Sequence, residues 1–326
     1  MSTDYPDPLD EALDDLRITG SVLLHEAYRA PWVIAVPGEN QLRQVLGVGA
    51  DVRVFVFHLV RSGGFELQLD GQDAIPIRTS EVVICPSGTG HQMRQGSGAK
   101  SVALEGILRG EDMPVVTRGT AGATELVCGV FYMRAGALNP MLNALPPFFR
   151  VATDDAVTSP LLAGIAALLS REVDRGAQRS FTAARLLEVF CAEAIRAYQR
   201  TEGTTSPGWF KGLADPRISD AIRRIHAAPA QAWSVHSLAS TVALSPSRFA
   251  ARFKETTGQS VMGYVSNLRA NAACRLLQDT NLDLTQIAYR VGFESLPSFS
   301  RAFKEKTGKA PALWRIETRR KNAQVS

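Results

Sequence analysis

Apolar and polar positions along the chain fall into three successive patterns. From residue 19 to about 134, short runs of β-branched and aromatic residues alternate with turn signals. Residues 52–60 (VRVFVFHLV) and 65–71 (FELQLDG) have strand composition. Pro37-Gly38, Gly63-Gly64, Asp70-Gly71 and Gly88 punctuate them, and further strand-like runs follow at 101–110 and 125–133. Many short strands with frequent turns predict a sandwich or small barrel. Residues 158–200 then switch to a helical period. Leu161, Leu162, Ile165, Leu168 and Leu169 share one face of a first helix. In the second, Leu186, Leu187, Val189, Phe190, Cys191, Ala194, Ile195 and Tyr198 are apolar nearly all round, so it needs cover on two sides. The strands supply one cover; the other is a second subunit or packing within the same chain. TEGTTSPG at 201–208 reads as a linker.

The third pattern is a repeat. Leu238-Ala239 matches Ile287-Ala288, Phe249 matches Phe299, Phe253 matches Phe303, Lys254-Glu255 matches Lys304-Glu305, and Thr257-Gly258 matches Thr307-Gly308. The offset is 49 before the turn and 50 after it, so the second turn holds one extra residue. Each copy reads helix, tight turn, helix. Ser245-Pro246 and Ser295 mark helix starts, and Gly258 and Gly308 mark helix ends. Between the copies Val261, Tyr264, Val265, Leu268, Ala272 and Leu276 form one stripe over residues 261–279. A helix of that length spans ~28 Å, close to the ~34 Å of one DNA turn. Two helix-turn-helix copies so joined predict a DNA-reading module.

Charge sharpens that reading. From Asp215 onward there are 17 Lys/Arg against 8 Asp/Glu, whereas the rest of the 326-residue chain holds 19 against 24. A basic third on an acidic remainder fits a polyanion-binding module joined to something else. No apolar run reaches membrane-spanning length, and the acidic start MSTDYPDPLDEALDDLRI lacks the layout of a signal peptide. Cys85, Cys128, Cys191 and Cys274 are scattered, which reads as free thiols in a cytoplasmic protein without a membrane partner.

DPRISDAIRRIH (215–226), the two repeats, IAYRVGF (287–293), FSRAFKEKTGKAP (299–311) and Trp314-Arg315 resemble the C-terminal domain of AraC/XylS transcriptional regulators over residues 215–316. The resemblance implies seven helices and binding to adjacent major-groove segments. APWVIAVPG (30–38), FHLVRSGG (57–64), PSGTGH (86–91) and LVCG (126–129) resemble the cupin-type sensory domain of one branch of that family. The expected fold class is therefore α+β and multidomain. A cupin-like β-barrel covers 1–150, a helical connector used for dimerisation 151–200, and a linker 201–214. An all-α double helix-turn-helix covers 215–316, followed by a basic tail at 317–326. The implied function is sequence-specific regulation of transcription. The implied partners are double-stranded promoter DNA, a small-molecule effector, a second copy of the chain and, for an activator, RNA polymerase.

Within the repeats, Phe249, Phe253, Phe299 and Phe303 take the core side. The opposite face carries Ser247, Arg248, Ala250, Ala251 and Lys254 in the first copy, and Pro297, Ser298, Ser300, Arg301 and Lys304 in the second. The resemblance places base reading at Ser247, Ala250, Ala251, Pro297, Ser300 and Arg301. Arg301 can bond guanine O6 and N7 together, whereas Ala250 and Ala251 offer only contact with a thymine methyl. Arg248 suits base or phosphate, and Lys254 and Lys304 suit phosphate. Ser234, Ser245 and Ser295 stand at helix N-termini, where they either contact phosphate or, more commonly, act as plain caps.

Cupin metal sites use H-x-H plus Glu and a later His. Pro86, Gly88 and His91 keep the later element, but no H-x-H occurs, and His58 stands near the Glu position. Two imidazoles fall short of three protein ligands, so no metal and no cofactor is assigned. His58, His91, Trp32, Phe55, Phe57 and Phe65 are candidates for an effector pocket. Alternation places His58 with Val54, Val56 and Val60, opposite Phe55, Phe57 and Leu59, and leaves open which set faces inward. Cys85 and Cys128 read as small hydrophobes, with redox sensing the alternative. No G-x-S-x-G, H-E-x-x-H or Walker loop occurs, so no enzyme is expected. The different-class alternatives are a metal-dependent cupin enzyme fused to a DNA-binding tail, and an interaction scaffold.

Overall fold

A computed structural model describes residues 7–49, 52–111, 113–133, 138–157, 159–177, 180–203, 205 and 208–323. Parts of the 201–214 linker and the end of the basic tail lie outside these. The strands are β1 (Ile18–Tyr28), β2 (Trp32–Val36), β3 (Arg53–Ser62), β4 (Gly64–Leu69), β5 (Ile75–Arg78), β6 (Glu81–Cys85), β7 (His91–Gln95), β8 (Ser101–Ala103), β9 (Val115–Val116), β10 (Thr124–Met133) and β11 (Phe149–Ala152). Helices among and after them are α1 (Pro8–Asp14), α2 (Glu39–Leu46), α3 (Leu104–Leu108), α4 (Pro140–Ala144), α5 (Pro160–Asp174) and α6 (Phe181–Thr201). The C-terminal helices are α7 (Trp209–Ala214), α8 (Pro216–Ala227), α9 (Val235–Thr241), α10 (Pro246–Thr257), α11 (Val261–Asp279), α12 (Leu284–Arg290), α13 (Leu296–Thr307) and α14 (Pro311–Ala323). The seven helices from α8 to α14 match the number implied by the resemblance.

The residues group into two compact units. One comprises 16–134 and 145–201; the other comprises the described residues of 1–15, 135–144 and 202–326. The short helices α1 and α4 thus belong with the C-terminal helices. In the first unit the strands form two sheets, ordered β11-β6-β3-β10-β1-β9 and β5-β4-β7-β2-β8, rather than one continuous sheet. All the pairings are antiparallel except β2 with β8. One apolar core joins the inner faces of both sheets, with Val54, Val56, Val60 and Val130 on one side and Ile34, Val36, Leu67 and Met93 on the other.

β3 is buried on both faces, which is why its sequence is almost unbroken apolar and gives no inside-outside signal. The structure resolves it: the valines and His58 face the core between the sheets. Phe57 faces the other way, stacked at 4.7 Å on Phe131 and 6.2 Å from Phe190 of α6. Gly129 lies opposite Phe57 in the β10–β3 pairing because an added Cβ would sit 2.6 Å from the Phe57 ring and 2.3 Å from Ser21 O. α6 is covered within its own unit. Phe190 and Ile195 are fully buried, Tyr198 packs on Phe149 at 4.8 Å, and Leu187 fills the space beside Gly20. The all-round apolar pattern of α6 is therefore satisfied by β1, β10, β11 and α5, and it does not itself call for a second subunit. The large apolar side chains left exposed on this pair of helices are Leu161, Leu168, Phe181 and Val189.

In the other unit, α11 buries two faces, not the single expected stripe. Val261, Tyr264, Val265 and Leu268 are joined by Ala273, Cys274 and Leu277, while Ala272 and Leu276 are only partly covered. A helix lying between two packed motifs must present apolar surface to both. α1 contacts α4 and α8, burying Leu9, Ala12 and Leu13. Its acidic side reaches helices far along the chain: Glu11 Oε2 lies 2.7 Å from His226 Nδ1, Asp15 Oδ2 accepts from Asn271 Nδ2 at 2.9 Å, and Asp15 also pairs with Arg275. Behind them Tyr264 OH meets His226 Nε2 at 2.7 Å and accepts from Trp209 Nε1 at 2.8 Å.

Candidate nucleic-acid interface and sensory core

Each repeat folds into two helices for local reasons. Ser234 caps α9 in a reciprocal pair with Ser237, and Asp283 caps α12 in the same way with Gln286. Ser245 accepts from Arg248 N, and Ser295 accepts from Ser298 N, each at 3.4 Å. All three candidate serines therefore act as caps. Gly258 and Gly308 end α10 and α13 at φ of 74° and 75°. The turns need one residue of positive φ: Ala243 (φ 53°) in the first copy and Gly292 (φ 87°) in the second. A Cβ on Gly292 would lie 2.7 Å from Ala230 O, so glycine is required there for space as well as conformation.

Phe249, Phe253, Phe299 and Phe303 are buried, as their spacing demands. Ser247, Arg248, Ala251 and Lys254 stand exposed on α10, with Ala250 partly covered. On α13, Pro297, Arg301 and Lys304 are exposed, and Ser298 and Ser300 are half-buried. Ser298 Oγ donates to Ser295 O at 2.8 Å, so its hydroxyl proton is already committed. Arg252, which the sequence did not single out, pairs with Asp215 at 2.6 Å, and Asp215 also caps α8. Burial acts to raise the Asp215 pKa, but the Arg252 hydrogen bond and the cap amides outweigh it and hold the carboxyl below its ordinary value.

Arg269 was also missed by sequence reasoning. Its Nε donates to Pro229 O at 2.8 Å and its Nη2 to Gln231 O at 2.7 Å, with the guanidinium 5.8 Å from the Phe293 ring centre. It fastens the segment leading into α9 to the turn of the second repeat. A cation in the middle of an apolar helix was the available signal.

In the sheet unit, His58 and His91 meet at 2.8 Å between Nε2 atoms, both deeply buried. His91 Nδ1 lies 2.7 Å from Thr89 O, which can only accept, so His91 carries its proton on Nδ1. His58 must then donate from Nε2 to His91 Nε2, and its own Nδ1 is left buried without a partner. Burial lowers both pKa values, that of His91 to about 4, and that of His58 well below its ordinary value with the neighbouring His91 adding to the effect. Trp32 and Phe65 belong to the same core, with Phe65 edge-on to His58 at 6.3 Å. Phe55 and Phe57 do not join them: strand alternation puts both on the opposite face of β3. Cys85 and Cys128 are buried in this core, where burial pushes the Cys85 thiol up to about 12 and Cys128 higher, so both are thiols rather than reactive thiolates.

Among the described residues, the one group of three metal-ligating side chains close enough to share an ion is His25, Glu125 and Asp174. Arginines already occupy its centre. Arg61 grips Asp174 with two bonds of 2.5 and 3.0 Å and lies 2.9 Å from Glu125 Oε1. Arg118 donates to His25 Nδ1 at 2.6 Å, which leaves His25 Nε2–H to face Glu125 at 3.3 Å. Burial, and then the two arginines against the opposing pull of Glu125, lower the His25 pKa. The set is a charge-balanced network tying α5 to β1, β3 and β10, with no room for a cation. An open cleft of about 1420 Å³ lies in this unit, with Phe65, Arg78, Gln95 and Glu125 among its walls.

Comparison with known proteins agrees with both units. A family model described as Cupin matches residues 7–200, and one described as Helix-turn-helix domain matches residues 238–316. A Streptomyces lividans protein described as an AraC-like transcription regulator is 30% identical over 267 residues, 81% of this chain and 87% of its own length. The HTH-type transcriptional regulator AlkR of Acinetobacter baylyi is 25% identical over 323 residues, 96% of this chain and 100% of its own. The solved DNA-binding domain of AdpA in complex with a target DNA is 25% identical and covers 34% of this chain and 98% of its own, at a TM-score of 0.33. Matched along its sheet unit, its tandem repeat and most of its length, the chain belongs to the AraC-like family of helix-turn-helix transcription regulators.

Proposed function

We infer that this regulator binds promoter DNA as a homodimer under the control of a small organic effector held in its sheet unit. The observation that carries the DNA reading is the shared geometry of α10 and α13. Each buries two phenylalanines and turns an Arg and a Lys outward, and among the described residues Arg248, Lys254, Arg301 and Lys304 have no ion partner. Arg301 is assigned to a base edge, Arg248 to a base edge or phosphate, and Lys254 and Lys304 to phosphates. Ser247, Ala250, Ala251, Pro297 and Ser300 complete the base-facing surface. The proposed domain ranges are those read from the sequence (sensory 1–150, connector 151–200, linker 201–214, DNA-binding 215–316 and tail 317–326), except that α1 and α4 pack with the C-terminal helices. Dimerisation is assigned to the exposed side of α5 and α6, and contact with RNA polymerase applies if the protein activates. The work is done in the cytoplasm, and no catalysis is assigned.

Footprinting of the region upstream of its own gene, with and without candidate effectors, tests DNA binding and signal together. We expect protection of two adjacent major-groove segments per protomer, steeply weakened by salt and altered by the effector. Absence of salt-dependent protection overturns the reading.

A further inference from the structure

The two helix-turn-helix copies are joined by more than α11. Each copy packs on that helix, but a connection through one helix alone leaves two small modules free to tilt about it. A second link runs beside it. Arg269, half-buried on α11, donates from Nε to Pro229 O at 2.8 Å and from Nη2 to Gln231 O at 2.7 Å. Those carbonyls belong to a turn in which Gln231 N donates to Ala228 O at 3.1 Å and Trp233 Nε1 donates to the same oxygen at 2.8 Å, just ahead of the Ser234 cap of α9. On its other side the guanidinium lies 5.8 Å from the centre of the Phe293 ring, and that ring meets Phe299 of α13 edge-on at 5.6 Å. The turn carrying Phe293 also touches 229–231 directly: a Cβ on Gly292 would lie 2.7 Å from Ala230 Cα and 2.9 Å from Arg269 Nη2. Carbonyls, guanidinium, ring and α13 thus form one continuous chain from the entry of the first copy to the second. The first copy, whose turn has Leu244 where the second has Phe293, offers no ring at that place.

We propose that Arg269 is a positioning residue that fixes the separation at which α10 and α13 engage DNA. This role rests on the reading that both helices enter the groove. The side chain is placed as a strut and not as a DNA contact: two of its donor groups are committed to carbonyls and its face to an aromatic ring. A planar fork is required, because two carbonyls and a ring must be met at once; Lys is a point charge on a flexible stem and would serve one carbonyl. Holding the two copies rigid makes the second engagement intramolecular at a set geometry, so a duplex with the wrong separation gains nothing from the second helix. Without the strut α11 still joins the copies, and several separations become usable, each more weakly. Separation along DNA is then part of what this protein recognises, set by a residue that touches no base.

The test uses the full chain and a random-sequence duplex library, selected for binding by the parent and by Arg269→Met, which keeps an unbranched stem without the guanidinium. The parent is expected to enrich two sequence segments at one separation, with enrichment down about tenfold for a shift of one or two base pairs. Arg269→Met should enrich the same two segments across several separations, within about threefold of one another. Arg315→Met is the control. Arg315 Nη2 donates to Leu282 O at 2.6 Å and holds α14 to the loop before α12, so its loss should lower the melting temperature yet keep the single separation. Phe293→Leu removes the ring while leaving both carbonyl bonds; it should also broaden the separation, and it carries the test if circular dichroism shows Arg269→Met unfolded. A single separation in the folded variant, or loss of either segment, overturns the proposal. Equal broadening in Arg315→Met does so too, since general loosening would then be the cause. A parent that enriches one segment alone overturns the two-helix reading and the strut with it; a parent with two segments whose separation survives in Arg269→Met overturns the strut only.

Discussion

Arg301 and Lys304 stand exposed on one helix, yet the proposed reading gives them different parts of DNA. Arg301 lies one turn nearer the start of α13, the end that enters the groove. Arg301→Ala should cost ~1–3 kcal/mol at the preferred site and little on random DNA. Lys304→Ala should weaken both about equally and lower the salt slope by about one. Binding curves on both DNAs at several salt concentrations, with matched circular dichroism spectra, separate the two; equal losses for Arg301→Ala would make it a phosphate contact. Ala243 and Gly292 form a second contrasting pair. Both sit at positive φ in equivalent turns, but only Gly292 is closed in by backbone. Gly292→Ala is expected to destabilise by about 2 kcal/mol or more, whereas Ala243→Gly should change stability by less than about 1 kcal/mol. Urea unfolding of the two variants checks this.

Among the elements, α5 is held to the sheet by charge, through Asp174, Arg61 and Glu125. Arg61→Ala would leave Glu125 without its guanidinium in a nearly buried place, and should cost about 2 kcal/mol. Asp174→Asn removes only the half-exposed end of the network and should cost less than about 1 kcal/mol. The exposed side of α5 carries the proposed dimer: if it does, Leu161→Glu with Leu168→Glu should convert dimer to monomer in sedimentation at tens of micromolar without lowering the melting temperature, since neither side chain is buried. The tandem motif was legible because its signals are local: caps, a Phe pair four residues apart, and a closing glycine. The cleft was not, because Arg78, Gln95 and Glu125 come from three strands and the rim from two further loops. Nor could sequence place Phe57 and His58 on their faces, since alternation carries no information in a strand apolar on both sides. The salt link from Arg61 to Asp174 spans 113 residues and leaves no trace in either neighbourhood.

For the whole molecule, acid is the revealing condition. His25, His58 and His91 are kept neutral when folded, with His91 held at about 4, and all three regain their ordinary value of 6.5 once the chain unfolds. Below pH 6.5 the unfolded chain binds protons that the folded chain refuses, so stability falls as pH drops. Each fully buried imidazole contributes about 1.4 kcal/mol per pH unit until its folded pKa is reached. Unfolding of the sheet unit followed from pH 7.5 to 4.5 should show this slope, and His58→Leu should reduce it; a flat profile would mean the histidines are solvated.

The docking of α1 among the C-terminal helices governs the order in which the protein can be made. Glu11 meets His226 across 215 residues, and Asp15 meets Asn271 across 256. During synthesis α1 emerges before the sheet unit, but its seat on α8 and α11 emerges only after the whole sheet unit has been threaded out. The sheets can form as they emerge; the helical unit can only be completed once the segments that follow the sheet unit have been made. A chain interrupted midway, or one begun at Leu16, would lack one partner or the other. The finished regulator is therefore one whose helix-turn-helix unit is completed only once its sheet unit has been made.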